Sequence, residues 1–216
     1  INPTVFHMNE GHSAFLTLER VNLLMTEDGL SFDEAREVVR SNTVFTTHTP
    51  VEAGNERFDK DIIEFYFAAY CQRLGLTWPQ FWELGRKESG DDKPFFMTIL
   101  GLKLAGQRKG VSRMHGEVAR HMWRDVWKGF HPSDVPIRHV TNGVHVPSYV
   151  SASMARLYDT YVVLDWQKNL HDPALWKRVH EIPNSLLWQA KSAMKQDLID
   201  LIRANCSQHW QKFGDA

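Results

Sequence analysis

Four short stretches of this 216-residue chain gather the residue types that hydrogen-bond polar ligands. In His7-Met8-Asn9-Glu10-Gly11-His12, two imidazoles, an amide and a carboxylate surround a glycine, which lets the backbone turn sharply or approach a ligand. Sugar hydroxyls need donors and acceptors of this kind. The same side chains also serve as metal ligands, although the spacing is not that of a His-Glu-x-x-His zinc helix, or simply as caps at a strand-to-helix turn. The second stretch, Thr46-Thr47-His48-Thr49-Pro50, leads into Glu52, Asn55, Glu56 and Arg57, a loop dense in carboxylates and amides. Glu56 and Arg57 could equally form a surface ion pair of little consequence. The third, Gly110-Val111-Ser112-Arg113-Met114-His115-Gly116-Glu117, places a glycine before a helix whose N–H groups and dipole suit an oxygen-rich ligand. Arg113 and His115 could instead tie that helix to its neighbours. The fourth, Thr141-Asn142-Gly143-Val144-His145, carries Asn-Gly, the commonest tight-turn pair. Read alone it is a turn, whose Asn could also offer its side chain to a ligand.

The elements that must hold these stretches follow from periodicity. Thr4–Met8 and Thr43–Thr47 are β-rich runs that read as buried strands. Between them lie a helix with Ala14, Leu18, Val21 and Met25 on one stripe, ended by Asp28-Gly29, and a second helix. The second opens with the capping box Ser31-x-x-Glu34 and turns Ala35, Val38 and Val39 inward. Strand, helix pair, strand is α/β logic, with parallel pairing available. Thr49–Phe58 is expected as a loop, Lys60–Leu74 as a helix burying Ile62, Phe65, Ala69 and Leu74, and Thr77 as the start of a short helix. Glu88–Lys93 reads as a charged loop, Phe96–Ala105 as a buried helix, Gln107–Gly110 as a break and Val111–Trp127 as helix. Pro132–Pro136 is a turn region. Ser151–Tyr158, a segment begun by Asp172-Pro173, and a long segment from Asn184 with Leu187, Ala190, Met194, Leu198 and Leu201 in register complete a helix-dominated chain. No internal repeat or low-complexity segment is visible. Polar groups after strands matter because ligands of open α/β sheets bind at the carboxyl ends of the strands.

Bulk properties narrow the function. Hydrophobic residues at 43% and charged residues at 24% describe an ordinary globular chain able to build a core. A net charge of -1 gives no basic excess to neutralise a phosphate backbone, so nucleic acid is not an expected partner. No apolar run approaches the ~20 residues needed to span a bilayer, so no membrane partner is expected. Cys71 and Cys206 form no CxxC pattern and read as thiols of a reducing cytoplasm. There is no GxSxG, Walker loop or GxGxxG. The opening Ile1-Asn2-Pro3-Thr4-Val5-Phe6 resembles neither a signal peptide nor an initiation site, and the expectation is a chain cut from a longer one.

Taken together and in order, HMNEGH, TTHTPVEAGNERF, GVSRMHGEV and TNGVHVP resemble the α-glucan (glycogen/maltodextrin) phosphorylases, especially their shorter bacterial and archaeal branch. The resemblance covers about the first 150 residues; the part after Tyr149 resembles the helical passage into the family's second domain. It implies an α/β fold of GT-B type, two Rossmann-like domains facing across a cleft. Residues 1–148 would be the later part of the first domain and 149–216 the interdomain helices. It implies phosphorolysis of terminal α-1,4-linked glucose by inorganic phosphate to glucose 1-phosphate with retained configuration. It also implies a pyridoxal 5′-phosphate cofactor that works through its own phosphate group. His48 would lie beside the transferred glucosyl unit, its carbonyl and ring orienting the sugar and supporting a developing oxocarbenium ion. Asn142 would hydrogen-bond a hydroxyl of that sugar, Glu10, His12 and Glu56 would line the inner pocket, and Val111 would touch the sugar face. Arg57, Asn9 and Thr49 would support these from behind.

Departures from the larger animal and plant enzymes are visible. Those have Asp where Glu10 stands, Thr for Gly11, and Pro-Arg-Arg-Trp after the Thr-Asn-Gly turn, where this chain has His145, Val146, Pro147, Ser148 and Tyr149. The family's cofactor lysine and basic phosphate motif lie further along and do not occur before Ala216, so the chain alone is expected to be inactive and to hold no cofactor. The longer protein is compatible with a homo-oligomer. Three competing readings remain: a nucleotide-sugar GT-B glucosyltransferase like glycogen synthase, a non-catalytic carbohydrate-binding module with a flat exposed row of Trp, and a metal-dependent hydrolase using His7, Glu10, His12 and His48.

Overall fold

In the computed structural model, residues 3–87 and 94–213 are described, with side chains through 207; the expected loop Glu88–Lys93 lies outside them. The chain divides into two units, Ile1–Asn142 and Gly143–Ala216. In the first unit, strand β1 (Phe6–Asn9) is followed by α1 (Phe15–Glu27) and α2 (Phe32–Ser41), then β2 (Thr43–Thr47). α1 stops at Asp28 and Gly29, whose φ of 68° only glycine adopts without strain. α2 begins with the full capping box between Ser31 and Glu34, and the Ser31 hydrogen bonds hold the Glu34 carboxyl below its ordinary pKa. Next come the short β3 (Arg57–Phe58), α3 (Lys60–Arg73), α4 (Trp78–Gly85), β4 (Phe95–Phe96) and α5 (Met97–Leu104). β5 (Gln107–Gly110), α6 (Arg113–Met122) and β6 (Arg138–His139) complete the unit.

The main sheet has the order β1-β2-β5-β6, and every pair is parallel. Asn9 lies beside Thr46, Thr47 beside Gly110, and Gly110 beside His139, so the four carboxyl ends form one edge. α5 is the central helix and is buried nearly all round. Met97, Leu100 and Leu104 pack with Leu18, Val39 and Phe81 in one cluster. Ile99 and Leu102 pack with Met8 and Phe45 of the sheet, and with Ala119 and Trp123, in another.

Five expectations are corrected. Gln107–Gly110 is not a break but the third parallel strand. Its polarity hid it: Arg108 is only 7% exposed, with Nε donating to the Leu102 carbonyl and the ring of Trp127 beneath its guanidinium. Burial and the nearby Arg40 charge pull its pKa down to about 10. Thr49–Phe58 is not wholly loop, since Arg57–Phe58 pairs antiparallel with Phe95–Phe96. In α3 the buried stripe is Ile63, Cys71 and Leu74, with Phe67 and Tyr70 against it, while Ile62, Ala69 and Phe65 (81% exposed) face outward. That helix is apolar on both faces, so periodicity could not choose between them. Val38 of α2 is likewise exposed, leaving Ala35 and Val39 as its inward residues. The α6 helix also ends earlier than expected, at Met122, and a 3-10 turn follows at Arg124–Val126.

The second unit holds α7 (Val146–Tyr149), α8 (Ala152–Tyr161), α9 (Pro173–Trp176) and α10 (Asn184–Phe213), and a small aromatic centre is built from α8, the 3-10 turn Trp166–Lys168 and α9. Tyr158, Trp166 and Trp176 meet edge to face at centroid distances of 5.2, 5.4 and 6.0 Å. Along α10, Ala190 is buried, but Leu198, Leu201 and Ile202 are exposed. With Phe65 and Tyr66 of α3 also exposed, the chain carries uncovered apolar surface on both units. Static light scattering at rising concentration is expected to show self-association of the isolated chain; a strict monomer at high concentration would count against it.

Candidate functional site

All four polar stretches leave the same edge of the sheet, because each directly follows a strand of one parallel array. The first two are locked together by Glu10. Its Oε1 accepts from the backbone N–H of His48, from the Thr49 N–H at 2.8 Å and from the Thr49 hydroxyl at 3.2 Å. The Glu10 N–H in turn donates to the Thr46 carbonyl at 2.8 Å. Glu10 sits at φ 64°, ψ 170°, a backbone region that is nearly glycine's own and costs about 1–3 kcal/mol. One residue earlier, Asn9 Oδ1 lies 3.4 Å from His48 Nε2, and His7 Nε2 lies 2.7 Å from the Thr46 hydroxyl.

The third and fourth stretches join the same scaffold. His115, 8% exposed, accepts the Val111 N–H on Nδ1 at 3.3 Å, which leaves Nε2 to donate to the Thr49 carbonyl at 3.3 Å. Ser112 caps α6 by accepting from the His115 N–H. The Asn142 N–H donates to the Val111 carbonyl at 3.0 Å. Thr141-Asn142-Gly143 is therefore not a tight turn: it runs on from β6 without turn geometry, Gly143 has no positive φ, and the Asn142 side chain is exposed.

Glu10, His12, Thr49 and Glu56 line one pocket of about 130 Å³, together with Gly11, Gly54, Asn55 and Thr98. His48 stands next to it in the chain, exposed, and is bound to Glu10 through its amide. Arg57 is not part of the lining; it is carried outward by β3, and among the described residues no ion pair joins it to Glu56. Val111 and Asn142 reach the group only through the His115 and backbone bonds just described. One lining residue, Thr98, carried no functional signal beforehand. Thr98 donates its hydroxyl to Asn55 Oδ1 at 2.8 Å, and Asn55 in turn donates to the Val51 and Glu52 carbonyls. A single hydroxyl in the first turn of a helix that is otherwise apolar up to Lys103 was the available clue. Gly11 is required by closeness rather than by φ: a Cβ there would lie 2.7 Å from the Thr98 nitrogen.

Chemically the pocket is rich in acceptors. Two carboxylates, an amide and hydroxyls suit the O–H groups of a polyol and repel a phosphate dianion. Among the described residues no group of His, Cys, Asp or Glu could hold a metal ion, and no helix is long and apolar enough to cross a membrane.

The model of the carbohydrate phosphorylases matches residues 2–212. This chain belongs to that family. It is 41% identical to a glycogen phosphorylase of Mycobacterium tuberculosis, over 98% of this chain and 25% of that protein. It is 36% identical to a maltodextrin phosphorylase of Thermococcus litoralis, over 99% and 25%, and 33% identical to a glycogen phosphorylase of Aquifex aeolicus, over 96% and 29%. The chain thus spans about a quarter of the length of these phosphorylases.

His115→Ala removes the bridge from the third stretch to the Thr49 carbonyl, and with it the acceptor of the Val111 N–H within that stretch. It should lower stability by about 1–3 kcal/mol in urea unfolding. A change within about 0.3 kcal/mol would show that the imidazole carries no such bridge.

Proposed function

We propose that this chain is the sugar-binding edge of an α-1,4-glucan phosphorylase, the later part of the first domain of a GT-B pair with the helices that lead to the second. The longer protein releases glucose 1-phosphate from glycogen or maltodextrin with inorganic phosphate. The observation that carries the reading is the single strand-end edge on which His48, the acceptor-lined pocket of Glu10, His12, Thr49 and Glu56, and the Val111–Asn142 contact are held together, in a chain of this family.

In this reading the terminal glucose lies over His48, whose ring and carbonyl orient it and face the positive charge that develops as the glycosidic bond breaks. The exposed Asn142 amide bonds one of its hydroxyls, and Val111 packs on the sugar face. His12 and Glu56 extend the contact inward, while Asn9, Thr49 and Arg57 support from behind. Pyridoxal 5′-phosphate does not fit the pocket of this chain: a phosphate beside Glu10 and Glu56 is repelled, and no lysine lines the space. The cofactor and the incoming phosphate are therefore assigned to the remainder of the longer protein. Cytoplasmic placement and homo-oligomeric assembly belong to the same reading.

The glycogen-synthase alternative has less support, because the matched family is that of the phosphorylases. The binding-module alternative called for a flat row of exposed Trp; among the described tryptophans only Trp188 is exposed.

Two outcomes test the proposal. The longer protein, given maltodextrin and phosphate, should form glucose 1-phosphate, with kcat/KM falling about 100-fold or more in His48→Ala; transfer from a nucleotide sugar instead would replace the reaction while keeping the fold. The 216-residue chain alone should form none, and measurable product from it would contradict the assignment of phosphate and cofactor to the rest of the protein.

A further inference from the structure

We infer that Asn9 and Glu10 act as a two-point clamp that positions His48, with Oε1 of the Glu10 carboxylate spent on the loop rather than on the sugar; this rests on the sugar-site reading above. In a strand, successive side chains point to opposite faces, so neighbours do not reach the same target. Here they do: Asn9 Oδ1 meets the ring of His48 and Glu10 Oε1 meets its backbone N–H. The exception coincides with the positive φ of Glu10, which ends the alternation one residue past the last residue of β1, Asn9. A strained non-glycine backbone held at a ligand-facing edge needs a return, and the return is fixation of His48 at both its main chain and its ring.

The hydrogen-bond inventory supports this division of labour. Oε1 of Glu10 receives three donors from His48 and Thr49, more than one for each of its two lone pairs, so that oxygen is fully taken up by the loop. The other wall of the same loop is fixed independently, by His115 on the Thr49 carbonyl and by Asn55 on Thr98. The loop therefore keeps its path without Glu10, and what Glu10 adds is the placement of residue 48. Glu10 and Asn9 are accordingly positioning residues. A glutamine at position 10 keeps an acceptor oxygen for the amides, whereas alanine keeps none.

The test is amide hydrogen exchange on this chain, read residue by residue, followed by kinetics on the longer protein. Glu10→Ala should speed exchange at His48 and Thr49 by about 10-fold or more, leaving Phe45 in β2 and Asn142 at the far end of the edge unchanged. Glu10→Gln should restore most of the protection. In the longer protein, Glu10→Ala should lower kcat with little change in the KM for phosphate, and Glu10→Gln should recover part of it. Uniform acceleration at all amides, or none at His48, overturns the clamp. A local exchange effect with kcat untouched, and with His48→Ala also harmless, overturns the sugar-site reading instead.

Discussion

Parallel strands can be joined only by crossovers long enough to carry the chain back to the starting side, and each crossover here is helical. The consequence for β1, β2, β5 and β6 is that every strand delivers its following residues to one edge. Once Phe6–Asn9, Thr43–Thr47, Gln107–Gly110 and Arg138–His139 are parallel, four stretches separated by up to 130 residues of chain have no choice but to meet. α5 makes that sheet possible. Buried on both sides, it fastens Met8 and Phe45 of the sheet to the α1–α4 layer.

On that edge the chemistry depends on polar groups that first satisfy one another. Glu10 holds His48 and Thr49, His115 holds Thr49 and Val111, and Asn55 holds Thr98. Each is a local bond worth about 1 kcal/mol, more where a charge takes part, and together they fix a pocket before any ligand arrives. Such preorganisation is what a sugar site needs, since hydroxyl recognition relies on donors and acceptors already in place.

How much of this was legible in the sequence depended on whether a local signal was unambiguous. The Ser31–Glu34 box, the Gly29 stop and the Thr43–Thr47 strand carry their own stereochemistry and were readable. The helix of 60–73 was readable as a helix, but its inner face was not, because Ile62 and Ile63, and Phe65 and Phe67, compete for burial and only packing against α1 and α4 decides. Strand β5 was hidden by Arg108, whose burial depends on the Leu102 carbonyl and Trp127, neither of them a sequence neighbour. The candidate residues were legible as chemical types, and their shared edge followed once the strands were placed. The Thr98–Asn55 bond and the reversal at Glu10 are tertiary facts without a motif.

The most direct test of the central claim is a crystal structure of the longer protein with a maltooligosaccharide bound. The account predicts the terminal glucose at the strand-end edge, within hydrogen-bonding distance of His48 and Asn142, with Glu10 Oε1 still on the amides of His48 and Thr49. A sugar seated elsewhere on the chain, for example on exposed Trp188, with the His48 edge empty, would contradict it.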